Sequence, residues 1–257
     1  MVMNPNSVLG RLAQRVSLAR WTKAARAANS TELTKLRALR QNARQLLTPL
    51  QELSRIAETR LARPRIGSNT FTRPVGTDWS WRPMVWRAAL PKRGLAPAEN
   101  KTRLGKEIAI FHDCKKQEIT LSQYRNSDAD DLAAYGVALE VFHFDGSFLS
   151  LVLDLPTSAC DGLKKRHVLE VAAVIDREAP INIYARLNLK HGPNTEQSLL
   201  TLPAEHPETS VAFDLAYMQI NEARAEKVWV DLLFENPQMN KITIRDITVC
   251  RYPRAEI

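Results

Sequence analysis

The chain has 257 residues, is 44% hydrophobic and carries a formal net charge of +8. That length accommodates one large domain, or a medium one with an appendage, and no apolar run approaches the roughly 18 to 20 residues needed to cross a bilayer. The N-terminal stretch MVMNPNSVLGRLAQRVSLARW lacks the continuous apolar region of a secretory signal. Three scattered cysteines, Cys114, Cys160 and Cys250, argue against a disulfide framework or zinc knuckle and fit reduced thiols in a cytoplasmic product. Charge is unevenly placed: residues 1–66 hold 13 Lys/Arg against 3 Glu, and the remainder holds 23 against 25 acidic residues. A nearly neutral body therefore carries a basic arm, which prefers an anionic partner such as nucleic acid, a membrane surface or an acidic protein face.

Residues 7–28 read as a helix with Val8, Leu9, Leu12, Val16 and Ala19 on one stripe. Asn29-Ser30-Thr31 breaks it and caps a second helix starting near Glu32. There Leu36, Leu39, Ala43, Leu46, Leu50, Leu53 and Ala57 recur in alternating steps of three and four, the heptad seam of a helix packing along another. Pro49 costs about 3 kcal/mol inside a helix. Thr48-Pro49-Leu50-Gln51 resembles a fresh N-cap, so a kink or two helices meeting at Thr48 is expected. The arm, 1–63, either folds as a helical hairpin on its own chain or serves self-association and docking. Nucleic-acid binding is disfavoured, because its arginines come without an aromatic or Gly-rich recognition element.

Residues 64–103 are rich in Pro, Gly and Ser/Thr and read as a linker, with Trp79, Trp81 and Trp86 inside it. Trp79 and Trp81 fall on the same side of an extended segment. The three indoles either form a platform for a sugar ring or close one end of a core, and the second use, a structural clasp, is favoured on area.

Residues 104–257 read almost wholly as strands: 107–111, 117–121, 137–144, 148–155, 168–175, 181–189, 211–217, 228–234 and a last one from about 242. Leu149, Leu151, Leu153 and Leu155 share a face. Val228, Val230, Leu232 and Phe234 point one way, Trp229, Asp231 and Leu233 the other. Asp145-Gly146 signals a hairpin, and the phase slip between Ile244 and Ile247 signals a β-bulge. About nine strands at this spacing, with no helices between them, predict an antiparallel β-sandwich of jelly-roll, carbohydrate-binding-module-like form.

No GxSxG, HExxH, P-loop or GxGxxG occurs, and no catalytic residue, cofactor or metal is assigned. Neighbours in Phe111-His112-Asp113-Cys114 alternate faces and cannot all reach one metal, so His112 is read as structural. Glu140, Asp145 and Asp154 supply a hydrolase only as a suitably spaced carboxylate pair, and Glu140 and Asp154 are expected to face solvent. The loop LKHGPNTEQ, 189–197, brings His191, Asn194, Glu196 and Gln197, with planar donors and acceptors suited to sugar hydroxyls, as the candidate glycan surface alongside the tryptophans. Alternatively, Asn194 and Thr195 merely hold the loop through local bonds.

On FHDC at 111–114, FDGSFLSLVLDLP at 144–156, ARLNLKHGPNTEQ at 185–197, FDLAY at 213–217, GTDWSWRP at 76–83 and the ending NKITIRDITVCRYPRAEI, the chain resembles an uncharacterised family of alphaproteobacteria related to Rhodobacter. It also looks like galactose-binding-type carbohydrate-binding modules at the level of fold, and is similar to the base component of the head spikes on gene transfer agents. That resemblance implies a non-enzymatic structural or adhesive homo-oligomer. Its arm would dock to a capsid or spike-fibre protein and its sandwich would face outward to a polysaccharide or protein. Such a protein would be made in the cytoplasm and carried on a released phage-like particle. A polysaccharide-active enzyme and a cytosolic protein with a nucleic-acid-binding arm are the alternatives.

Overall fold

The computed structural model describes residues 8–61, 71–128 and 130–254. The arm residues 1–7 and 62–63, the linker start 64–70, the last three residues of the chain and the side chains of Val8 and Leu9 lie outside the described residues. Two compact units divide the chain at residues 54 and 55.

In the first unit, α1 (Val8–Ala27) ends in a 3-10 turn, Ala28–Ser30, and α2 (Leu33–Leu61) follows. The break at Ser30-Thr31 is built as capping chemistry requires: both hydroxyls donate back to the Ala27 carbonyl, at 3.2 and 2.7 Å. Pro49 does not split α2. Thr48 keeps helical geometry and donates its hydroxyl to the Arg44 carbonyl at 3.2 Å, so the expected second start at Thr48 is absent. Among the described residues α1 and α2 do not pack along their lengths, so they form no helical hairpin. Of the heptad positions, Leu36, Leu39, Ala43 and Ala57 are half-buried. Leu46, Leu50 and Leu53 stand 45%, 58% and 63% exposed, which leaves the lower half of the seam open.

The second unit is a sandwich of two antiparallel sheets. One has the order β11-β8-β13-β6-β5-β2 with β1 added to β13; the other runs β10-β9-β12-β7-β4-β3. In chain order the strands are β1 (Trp79–Trp81), β2 (Gly94–Leu95), β3 (Arg103–Leu104), β4 (Ile108–His112), β5 (Ile119–Arg125), β6 (Tyr135–Val141), β7 (Leu149–Asp154), β8 (His167–Arg177), β9 (Ile183–His191), β10 (Asn194–Leu202), β11 (Glu208–Asp214), β12 (Ala225–Phe234) and β13 (Asn240–Pro253); a single helical turn, α3 (Met84–Arg87), follows β1. The alternation expected in the sequence sets the core. Leu149, Leu151 and Leu153 of β7 and Val228, Val230 and Leu232 of β12 are at most 1% exposed, facing buried Val137, Leu139, Ile242 and Ile244 of the other sheet.

The bulge lies where the phase slip put it, between Ile244 and Asp246. It turns Arg245 and Asp246 outward and returns Ile247 and Val249 to the core. The Asp145-Gly146 hairpin does not form: β6 and β7 belong to opposite sheets, and residues 142–148 cross between them. Gly146 answers a different need. A Cβ there would meet Asp113 Oδ1 at 2.5 Å and Cys114 Sγ at 2.9 Å, because the crossing is stitched to the 113–115 loop. Asp113 accepts from the Ser147 N–H at 2.7 Å and the Ser147 hydroxyl at 2.6 Å, and the Lys115 N–H donates to Asp145 at 3.0 Å. His112 is structural: its Nδ1 accepts from the Cys114 N–H at 3.2 Å, which leaves Nε2–H to donate to the Ala98 carbonyl at 2.9 Å.

Candidate functional site

Along DWSWRPMVW, Asp78 to Trp86, nearly every large side chain is tied down. Asp78 takes the Arg251 guanidinium at 2.9 and 3.3 Å, and Arg82 grips Asp246 in a two-bonded pair at 2.9 and 2.7 Å. Trp79 donates to the Ser158 hydroxyl at 3.2 Å. Trp86 is 0% exposed and donates to the Ile244 carbonyl at 2.9 Å. Trp79 and Trp81 pair with β13 opposite Arg251 and Val249 and pack half-buried against the core. Trp86 offers no face to a ligand, which removes it from the candidate glycan surface and corrects it to a clasp; Trp79 and Trp81 are fixed to the clasp but keep part of their area uncovered.

The 189–197 segment is no loop. β9 and β10 form an unbroken nine-pair hairpin around Gly192-Pro193, with His191 opposite Asn194. Gly192 has φ +59°, and proline cannot follow it into positive φ, so the turn is of the II′ kind. The strand geometry then separates the four candidates. His191 continues the inward row of β9, buried, its Nδ1 accepting from the Asn221 N–H at 3.4 Å. Asn194 sits exposed beside the turn, while Glu196 and Gln197, being adjacent on a strand, point to opposite faces. They converge on nothing. Gln197 alone lies on the face where a site does assemble.

That face is the outer side of the β10-β9-β12-β7-β4-β3 sheet. Cross-strand register places Gln197, Asn188, Trp229 and Asp154 in one row, and Leu199, Arg186, Asp231 and Val152 in the next. Phe111, Phe148, Ser150, Lys227 and Arg103 complete a groove of about 400 Å³. Asp231 in its lining is buried, at 2% exposed, and Asn188 is buried beside it, at 1%. One oxygen of Asp231 accepts from Arg186 Nε at 2.8 Å, Arg186 Nη2 at 2.6 Å and Asn188 Nδ2 at 3.1 Å. Its other oxygen, and the Asn188 amide oxygen, have no partner among the described residues. A buried acceptor without a donor carries a desolvation cost of about 1–3 kcal/mol. In the same groove, the Trp229 ring is half-buried with the Lys227 ammonium 5.3 Å from its centre, and Phe148 is 43% exposed.

Asp154 closes the rim between Arg103 and Lys227, each at 2.7 Å. Burial pushes its carboxyl up, but the hydrogen bonds and charges of Lys227 and Arg103 outweigh this and hold it below the usual carboxylate range. A glycosidic general acid needs the reverse shift. Glu140 lies on the other sheet beside Lys241 and Asp145 in the crossing loop, so the three acids marked in the sequence are in three separate places. Among the described residues no group of three His, Cys, Asp or Glu side chains is placed to hold a metal ion, and no helix is long and apolar enough to cross a membrane. The opposite sheet carries a depression of about 490 Å³ under residues 71–74, but its floor is Ala172, Ser210 and Thr248. Its one ring, Phe71, is already covered by Arg73 and Arg82, at 5.3 and 4.9 Å. The groove with Trp229 is the better-equipped surface.

The outward Trp229-Asp231-Leu233 alternation is visible in the sequence; Arg186, Asn188 and Asp154 join it only through sheet order, which no local pattern shows.

The sandwich is similar to solved carbohydrate-binding modules. The family 11 module from Clostridium thermocellum, in complex with a β-1,3-1,4-mixed-linked tetrasaccharide, is 10% identical with a TM-score of 0.40, over 64% of this chain and 97% of that one. The CBM22-1 xylan-binding domain from Paenibacillus barcinonensis Xyn10C is 9% identical with a TM-score of 0.34, over 63% and 94%. The enzymatically active domain of bacteriophage CBA120 tailspike protein 4 is 8% identical with a TM-score of 0.41, over 60% of this chain and 22% of that one. At these identities the likeness is one of fold. No curated protein matches the sequence. A family described as of unknown function (DUF6478) matches residues 1–257, and the chain belongs to it.

Proposed function

We propose that the protein is a non-enzymatic adhesive module that binds a polysaccharide chain across the outer face of the β10-β9-β12-β7-β4-β3 sheet. The observation that carries this reading is one groove lined by the half-buried Trp229 ring, the exposed Phe148 ring, the Arg186 guanidinium and the rim carboxylate of Asp154, beside the buried Asp231. A pyranose presents the complement, an apolar C–H face for an indole and hydroxyl groups that donate to a carboxylate while accepting from a guanidinium. Arg186, 36% exposed at its side chain, supplies that second half. Native electrophoresis through gels containing a panel of soluble polysaccharides tests it. Retardation by at least one of them that disappears in Trp229→Ala is expected; mobility unchanged across the panel, or retained by Trp229→Ala, would defeat the reading.

In the same reading the arm holds the module on an assembly, the base of a head spike on a phage-like gene transfer particle. Made in the cytoplasm, the protein reaches its ligand on released particles. Support comes from the seam on α2, where Leu46, Leu50 and Leu53 lie exposed on a strongly basic segment. Apolar surface at heptad spacing is the pattern that packs against another helix, from a second copy or from a capsid or spike-fibre protein. Co-sedimentation of the full chain with purified particles, and its loss in the triple variant Leu46→Ser, Leu50→Ser and Leu53→Ser, is the test.

A further inference from the structure

A sandwich has four edges, and this one guards three of them. On one side β2 and β3 are two residues each, too short to template a partner. On the other, β11 (Glu208–Asp214) begins and ends with an acid, so two copies laid antiparallel would set Glu208 against Asp214. The fourth edge, β10 (Asn194–Leu202), has none of these defences. It is nine residues long, pairs with β9 without a bulge, contains no proline or lysine, and carries Glu196 as its one charge. Among the described residues its backbone bonds only to β9, and Leu199 is 54% exposed.

The hairpin register says which groups are free. In a two-residue hairpin the pair flanking the turn is hydrogen-bonded, and bonded pairs then alternate. His191 with Asn194 starts that series, so Asn194, Glu196, Ser198, Leu200 and Leu202 turn their amides toward β9. Thr195, Gln197, Leu199 and Thr201 turn theirs outward.

From this geometry we infer that β10 pairs antiparallel with β10 of a second copy of the chain, about a two-fold axis at Ser198. This register sets Thr195 against Thr201, Gln197 against Leu199 and Glu196 against Leu200. It engages every outward amide in about eight hydrogen bonds and brings no like charges together. Cross-strand Thr–Thr pairs add to it, and the pairing is isologous, as closed dimers are. The two six-stranded sheets become one continuous sheet, with both Trp229 grooves on the same face. A long polymer that reaches both is then held by two sites at the effective concentration of a tether rather than by one.

Two experiments on the full chain test the pairing. In sedimentation velocity, Gln197→Lys with Leu199→Lys places like charges opposite each other across the axis and should halve the mass of the assembly, with circular dichroism unchanged. Mixing this variant with the Gln197→Glu, Leu199→Glu variant should restore it. A wild-type chain that sediments as a monomer, or an assembly whose mass the lysines leave unaltered, overturns the inference. Ser198→Cys reads the register directly, since facing residues in a non-hydrogen-bonded pair lie about 4.5 Å apart at Cα, within disulfide reach. Oxidation should link two chains through Cys at 198, while Thr201→Cys, which faces Thr195, stays unlinked. Equal cross-linking of both, or of neither, overturns it.

Discussion

The clasp and the groove are built from the same three side-chain types, tryptophan, arginine and aspartate, and differ in which of them meets water. In the clasp, Arg82 and Asp246 are 1% and 13% exposed and bond each other in two places, while the Trp86 ring is sealed and its N–H is spent on a carbonyl. In the groove, the Asp231 side chain is 3% exposed but that of its partner Arg186 is 36% exposed, one carboxylate oxygen has no partner among the described residues, and the Trp229 ring is half-buried. A set of bonds that is complete holds a segment in place. In the groove the arginine stays partly in water, and that is the feature on which the proposed function draws.

Truncating the two indoles is the sharpest way to break this comparison. Trp86→Ala opens a cavity in the core and should cost about 3–5 kcal/mol of stability, seen as a large fall in melting temperature. Trp229→Ala should cost about 1 kcal/mol or less while abolishing polysaccharide retention. Equal melting temperatures for the two would erase the distinction. The arginines come next. Arg82→Ala strands a buried carboxylate, a loss of about 3–5 kcal/mol. Arg186→Ala leaves Asp231 with Asn188 and should cost about 1–3 kcal/mol; chemical denaturation measures both.

Gly146→Ala tests the stitching of the crossing loop rather than either tryptophan site. The added methyl meets Asp113 and Cys114, and the strain should amount to about 1–3 kcal/mol; a wild-type melting curve would show that the loop yields freely. The smallest effect is a pH slope. His167 accepts from the Lys164 N–H at 3.1 Å behind the clasp, with Nε2 3.6 Å from Asp78. Burial lowers its pKa more than Asp78 raises it, so the net shift is downward from 6.5. A depressed value means that the unfolded chain takes the proton first. Stability is full above pH 6.5 and is lost as pH falls through the folded value. Melting temperatures between pH 7.5 and 5 should fall more steeply for the wild type than for His167→Asn, whose amide oxygen still accepts the Lys164 bond.

What the sequence discloses follows the reach of each signal. Inward rows such as Leu149-Leu151-Leu153 and the slip at Ile244 are period-two patterns, set by one strand's burial, and they are legible. Asp145-Gly146 misleads because its glycine is required by a close approach from residues 113 and 114, and not by a turn; no local pattern separates the two causes. Gly192-Pro193 is the real hairpin, and residues 194–202 escape notice because an edge strand alternates only weakly in hydrophobicity. The groove is the least legible part. Trp229 and Asp231 are seen facing outward, but their neighbours Arg186 and Asp154 come from strands some 40 and 75 positions earlier.

The place of β13 has a consequence for how the molecule is made. That strand lies between β8 and β6 and also carries β1, so one whole layer of the sandwich is missing its middle until residues 240–253 have been translated. The emerging polypeptide must therefore keep several unpaired strands waiting, and this layer closes only once residues 240–253 are free to insert. Its assembly is dominated by distant contacts and is slow for that reason.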